Sequence, residues 1–435
     1  MLTRRGFLVT SSLALAASTI SINSKVSSDW SAVRGEFELD PELVHLSLFY
    51  MTPHPRPVRT AVESYRRQLD ANPFLTVEHS LFDFANFEKT MPVVVAGAVA
   101  SYIGAASGED IALTQNTSTG LSLVYHGLPL KAGDEILTTT HDHYVHHESI
   151  RYAAERSGAT WRKIALYDDR TTISAGDIVA RIRKGIGAKT RVLGVTWVHS
   201  SSGVKLPIRR IAEAVAELNA NRDAKSRILL VVDGVHGLGV EDPAVVTSGA
   251  DVFVAGTHKW LFAPRGTGFV WAKPQVWATM RPLIPTFHSG ELWDAWANEK
   301  KTVEGTPVGR WFTPGGFQAF EHWWAVPAAI EMHRRIGIPR ITDRIHTLNE
   351  QLKTELAKMP HVTLHTPLAR DLSSGIICFE VQGKTPAQVV ETLHHRDKIL
   401  ASTTPYRTPY ARVAFGIYNT EAEVEKTVKA IRALA

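Results

Sequence analysis

From about Ile111 onward, short apolar runs end repeatedly in small or polar residues. The runs are IALT (111–114), EILTTT (135–140), RVLGVTWV (191–198), RILLVVD (227–233), DVFVAG (251–256) and TGFVWA (267–272). Between them lie helical stretches, such as Ile208, Ile211, Val215 and Leu218 after Pro207. Strands that are apolar throughout, alternating with helices, predict a mostly parallel sheet covered on both faces. This is a three-layer α/β/α domain, with ligands at the carboxyl ends of its strands. Earlier, the region from Asp40 to Pro73 holds a short strand-like run and a helix starting near Pro57. Beyond Leu283 the pattern changes. A helix carries Ile341, Ile345, Leu348, Leu352 and Leu356 on one face, SGIICFEV (374–381) and ARVAFGIY (411–418) are strand-like, and 386–393 is helical. Thr420 and Glu423 form a capping box before a last helix. The expected division is an arm at 36–75 that joins a smaller domain, a large ligand-binding domain at 76–300, and a small α+β domain at 301–435.

Composition narrows the classes. With 44% hydrophobic residues, 21% charged and a formal charge of only +5, the chain is ordinary globular protein, and a nucleic-acid partner is not expected. Its one cysteine, Cys378, lies in an apolar strand pattern, which is a core environment. The start, Thr3-Arg4-Arg5-Gly6-Phe7-Leu8, leads into an Ala/Ser/Leu-rich stretch reaching Ile20. Residues 1–30 thus read as a twin-arginine-type signal. It implies export of a folded protein by the twin-arginine machinery, to the periplasm or beyond, and so points to an inserted cofactor.

Three stretches carry candidate chemistry. In ILLVVDGVHGLGV, Asp233 and His236 stand just past a buried strand, where a carboxylate needs a partner or serves as a turn residue. In DVFVAGTHKWLFAPRGTGFVWA, Lys259 follows the next strand; a lysine held in a pocket there loses its proton readily and can attack a carbonyl. LTQNTSTGLSLV turns into a helix whose first N–H groups, with Thr117 and Ser118, could hold an anion or be simple caps. A fourth stretch, HDHYVHHES (141–149), concentrates histidines; His141, His143 and His147 are the candidate ligands of an alternative metal site.

DGVHGLG followed by GTHKWLFAPRGTGFVW resembles the class V aminotransferase family of pyridoxal-phosphate enzymes (fold type I), and within it the isopenicillin-N-epimerase-like group. The resemblance covers most of the chain. It implies a seven-stranded sheet, pyridoxal 5'-phosphate joined to Lys259 as an aldimine, and Asp233 on the pyridine nitrogen. It adds His236 to the cofactor contacts, gives Thr117, Ser118 and His258 the phosphate, brings His199 and Ser200 to the pyridine hydroxyl and substrate, and stacks His143 on the ring, with Tyr144 as the alternate. Arg412, with Arg407 as a weaker neighbour, would grip the carboxylate of a small amino-acid substrate. Gly203 serves a turn.

Two segments depart from the family. Phe317 follows Gly316 where relatives have a Gly-Thr pair reaching the phosphate across a dimer interface, with Thr313 nearby; HLSLFYMTPHP puts Phe49, Tyr50 and Met51 where they have a Gly-bearing segment. Tyr50 is therefore a substrate-pocket candidate. The implied reaction is epimerisation, racemisation or transamination at Cα, with a cysteine-independent C–S or β-lyase as the alternative. A homodimer is expected, using the region from Trp293 to Trp324.

Overall fold

In the computed structural model, residues 29–168 and 173–435 are described. The signal-like segment lies outside them up to residue 28. Seven strands form the large sheet: β1 (Ile111–Thr114), β2 (Glu135–Thr139), β3 (Thr160–Ile164), β4 (Thr190–Thr196), β5 (Leu229–Asp233), β6 (Val252–Gly256) and β7 (Gly268–Ala272). Their order is β1-β7-β6-β5-β4-β2-β3. Only β7 runs against its neighbours, pairing antiparallel with both β1 and β6; the other pairs are parallel.

Alternate residues of these strands go to opposite cores. Leu137, Leu193, Leu230, Val232, Phe253 and Phe269 join one cluster, and Ile136, Val192, Val231, Val252, Val254 and Val270 the other. Both faces are dry, which is why six strands read as uninterrupted apolar runs. β3 did not: TWRKI is an edge strand, half exposed, with Arg162 turned to an ion pair with Glu135 at 2.7 Å. Its water-facing positions remove the apolar run that marks the others.

The smaller sheet holds β8 (Val362–Leu364), β9 (Ile377–Val381), β10 (Ser402–Thr403) and β11 (Ala411–Val413), ordered β10-β11-β9-β8 and antiparallel throughout. Near the start of the described chain, Val44–His45 pairs in parallel with Ile399–Leu400. The long helix Ile338–Leu356 and the last helix, Glu421–Arg432, supply Leu348, Leu352, Val424 and Ile431 to this sheet's core, beside Phe379 and Val413. Both halves of the capping box between Thr420 and Glu423 are made. ARVAFGIY is strand only to Val413: past it, Gly416 lies so close to Leu48 that a Cβ would sit 2.3 Å from a methyl carbon. Among the described residues no helix is long and apolar enough to cross a membrane.

Candidate active site

The carboxyl ends of β1, β2, β4, β5 and β6 lie along one edge of the sheet, and their following residues surround a cavity of about 310 Å³. Ser118, His143, Asp233, His236, Lys259 and Arg412 all line it. The first five come from the large sheet's strand ends and loops, and Arg412 arrives from β11.

Asp233 ends β5 and is only 3% exposed. One carboxylate oxygen accepts the N–H of Val235 at 3.1 Å. Burial is the dominant influence on it, and that single backbone bond and the charge of Lys259 do not compensate, so its pKa is pushed up to about 6. Lys259 shares the cavity. Burial lowers it to about 8, with Asp233 opposing and Arg412 assisting the shift. Its Nζ lies 3.3 Å from His236 Nε2. The neighbouring backbone is held by buried Thr52, whose hydroxyl faces the carbonyls of His258 and Lys259 at 2.8 and 3.0 Å.

At the other end stands the helix Thr117–Gly127, capped by Asn116, whose side chain accepts the N–H of Thr119 at 2.9 Å. Thr117 and Ser118 line the cavity on its first turn, where N–H groups lack helical partners. Thr117 Oγ1 accepts the N–H of Gly256 at 2.8 Å, tying the helix start to the end of β6. Gly256 is required here, since a Cβ would lie 2.8 Å from His258 Cε1 and 3.3 Å from Thr117 Oγ1. His258 Nδ1 is buried and has no hydrogen-bond partner among the described residues.

His143 caps the helix Tyr144–Ser157, accepting the N–H of Val145 at 3.3 Å. Burial first, then the charges of Lys259 and Arg412, lower its pKa to about 4, so the ring is neutral at pH 7. Behind it Asp142 is fully engaged, accepting from Thr138 Oγ1, Thr139 N–H and Thr196 N–H, each at 2.8 Å. Arg412 lies with its guanidinium carbon 3.9 Å from the centre of the Phe49 ring. It donates to the Ser200 carbonyl at 3.1 Å and to Ser402 Oγ at 3.1 and 3.3 Å.

The other expected residues divide between the cavity and its surroundings. His199 does not line the cavity: it is wholly buried behind Asp142, 3.9 Å from it, with Nδ1 against the Tyr167 hydroxyl at 2.8 Å. Ser200 does line it and bonds Tyr406 at 2.7 Å. Tyr50 lines the cavity too, 75% exposed, and Tyr144 is 63% exposed on its helix. Arg407 is exposed. Thr313 is committed elsewhere, its Oγ1 accepting the N–H of Leu113 at 2.9 Å, while Phe317 is 73% exposed and packs edge-on against Phe287 and Phe320. Gly203 takes φ +73° in a turn where a Cβ would meet the Ile376 carbonyl at 2.2 Å.

The histidine metal site fails on geometry. His143 and His147 share the first turn of a helix, but the His143 ring accepts the N–H of Val145, His141 accepts the N–H of Leu166 and stacks on Tyr167, and His147 bonds the Thr139 carbonyl. Among the described residues no three potential ligands converge. The residues missed in the sequence are Thr52, Asn116, Trp260 and Tyr406. Asn116 alone carried a signal, as a capping residue before Thr117.

Pyridoxal 5'-phosphate fits what is present. A buried carboxylate with spare acceptor capacity suits a pyridinium N–H, a lysine that loses its proton readily suits an aldehyde carbon, and the helix start with His258 Nδ1, unpartnered among the described residues, suits a phosphate.

Comparison with known proteins agrees. The family model for aminotransferase class-V matches residues 51–427. The chain is 29% identical over 424 residues to isopenicillin N epimerase of Streptomyces clavuligerus, covering 93% of this chain and 98% of that protein. To a probable cysteine desulfurase of Vibrio cholerae serotype O1 it is 27% identical, covering 89% and 93%. In fold it is similar to a C-DES variant with glycine covalently linked to the PLP cofactor, at a TM-score of 0.79 and 20% identity over 92% of this chain and 98% of the other. The cystine C–S lyase C-DES in complex with its product cysteine persulfide gives 0.77, at 20% identity over 90% and 98%. Matched by the family model over most of its length, the chain belongs to the aminotransferase class-V family of pyridoxal-phosphate enzymes.

Proposed function

We propose that the chain acts on an amino-acid substrate by cleaving and re-forming a bond at Cα, as an epimerase, a racemase or an aminotransferase of the isopenicillin-N-epimerase-like kind. The observation that carries this reading is the meeting of Asp233, Lys259 and Arg412 around one cavity. When bound, pyridoxal phosphate supplies the electron sink for a bond broken at Cα. Asp233 holds a proton at the pyridine nitrogen. Arg412 orients the substrate carboxylate with its remaining N–H groups, its plane supported by Phe49. Lys259, whose pKa is lowered to about 8 so that it gives up its proton readily, removes the Cα proton and returns it. His143 covers one side of the cavity as an uncharged ring.

A cysteine desulfurase reading is disfavoured by Cys378, which lies wholly buried within β9 rather than on a mobile loop. The cysteine-independent C–S or β-lyase remains the second reading, supported by the likeness in fold to C-DES. Deuterium exchange at Cα across L- and D-amino acids separates the readings. Wash-in with inversion marks an epimerase, amino-group transfer to a keto acid an aminotransferase. Release of a β-substituent without wash-in of recovered substrate would sink both in favour of the lyase.

We further infer a homodimer and export by the twin-arginine route. The dimer is supported by exposed aromatic residues at Trp293, Trp296 and Phe317, and export by the Arg4-Arg5 signal pattern. Light scattering and a double Arg4→Lys, Arg5→Lys export assay test them; a monomer, or undiminished export, would overturn the respective inference.

A further inference from the structure

Lys259 is approached by a relay of two other side chains. His236 Nε2 stands 3.3 Å from Lys259 Nζ, and on the other side of the same ring Trp260 Nε1 donates to His236 Nδ1 at 3.4 Å. Trp260 and His236 are packed in the interior, 1% and 5% exposed, and Lys259 is half-buried beside them. An indole nitrogen is a donor only. Its partner Nδ1 must therefore present a lone pair, and a neutral imidazole with a lone pair on Nδ1 carries its proton on Nε2. That proton points at Lys259. A neutral amine has a lone pair to accept it, whereas an ammonium has three N–H donors and none.

We propose that Trp260 is a positioning residue: its indole N–H fixes His236 in the tautomer protonated at Nε2, and this turned donor favours the neutral, nucleophilic form of Lys259. The proposal rests on the reading of Lys259 as the cofactor-bearing residue. The surrounding charges are Asp233 and Arg412 for Lys259, and Arg412, His143 and His258 for His236. Asp233 favours the ammonium and Arg412 the amine, and the Trp260 bond to Nδ1 sets which side of the His236 ring carries its proton. Burial keeps His236 neutral, far below its ordinary range, so that the ring remains a one-proton device.

Two measurements test this on the full chain. Nitrogen-15 spectra of histidine-labelled protein, assigned by loss of the signal in His236→Asn, are expected to show the proton on Nε2; a proton on Nδ1 would overturn the proposal. Next, the rate at which chain stripped of cofactor captures added pyridoxal phosphate is followed against pH. In Trp260→Phe the ring is released and the midpoint moves up by about one unit, making capture about tenfold slower below both midpoints. A profile that coincides with the wild type also overturns it. If the wild type captures no pyridoxal phosphate at all, the reading of Lys259 falls, while the spectra still decide the tautomer on their own.

Discussion

Asp142 and Asp233 lie at the carboxyl ends of β2 and β5, with β4 between them, and are equally buried at 2% and 3% exposure. Asp142 takes three hydrogen bonds. Burial works to raise its pKa, but His146, His199 and the bonds from Thr138 and Thr196 outweigh it, and the group falls to about 2. Asp233 takes one backbone bond and rises to about 6. The lysines repeat the contrast. Burial lowers Lys353 and Lys259 alike to about 8. Yet Lys353 donates to the Pro367 and Leu368 carbonyls and to Ser373 Oγ, at 2.9, 3.1 and 2.6 Å, whereas Lys259 meets one histidine nitrogen. Burial alone therefore does not mark a functional site. The mark is a buried ionisable group whose bonding capacity the protein leaves unfilled and opens to a cavity.

The contrast breaks most visibly at the lysines. Lys259→Ala should lose the visible absorption of bound cofactor and at least about 10³-fold of activity, while Lys353→Met keeps the absorption. Loss of colour in both variants would erase the distinction. The carboxylates come next. Asp233→Asn should cost about 10²-fold in turnover without lowering the stability of the cofactor-free chain, and Asp142→Asn should cost about 3 kcal/mol of stability by urea unfolding.

A third effect is set by pH. Folded Asp233 keeps its proton to about pH 6, whereas an unfolded aspartate releases it near 3.8. Folding therefore binds a proton between these values. Cofactor-free wild type should lose about 2 kcal/mol relative to Asp233→Asn as pH rises through that window. Asp142 has the opposite sign: its contribution is full above 3.8 and disappears as pH falls through about 2. Parallel stability curves for wild type and Asp233→Asn would show that Asp233 is not strained. The smallest effect belongs to the substrate side, where Phe49→Leu should raise KM about fivefold with little change in kcat, the value of one ring beneath Arg412.

Much of the fold could be read directly because the large sheet is dry on both faces; β3 escaped because water touches it. In the site, Asp233 and Lys259 were legible as charges placed where apolar strands end. Arg412 became legible through the resemblance, and His199 was placed one layer too far forward. What the sequence did not show were neighbours made by folding: Trp260 looks like any core aromatic, Tyr406 like any loop residue, and Thr52 reaches the backbone of His258 and Lys259 from 206 and 207 residues away along the chain.

Cys378 has a separate use. It is the chain's one cysteine, wholly buried in β9 and directly across the strand pair from Arg412. A thiol reagent reaches it only when the smaller sheet parts, so the labelling rate is a clock for that opening, read without any introduced probe. Because the arginine sits on the paired strand, a substrate that engages its carboxylate clamp should slow the clock, and the ratio of the two rates reports how firmly that sheet is held when the clamp is filled.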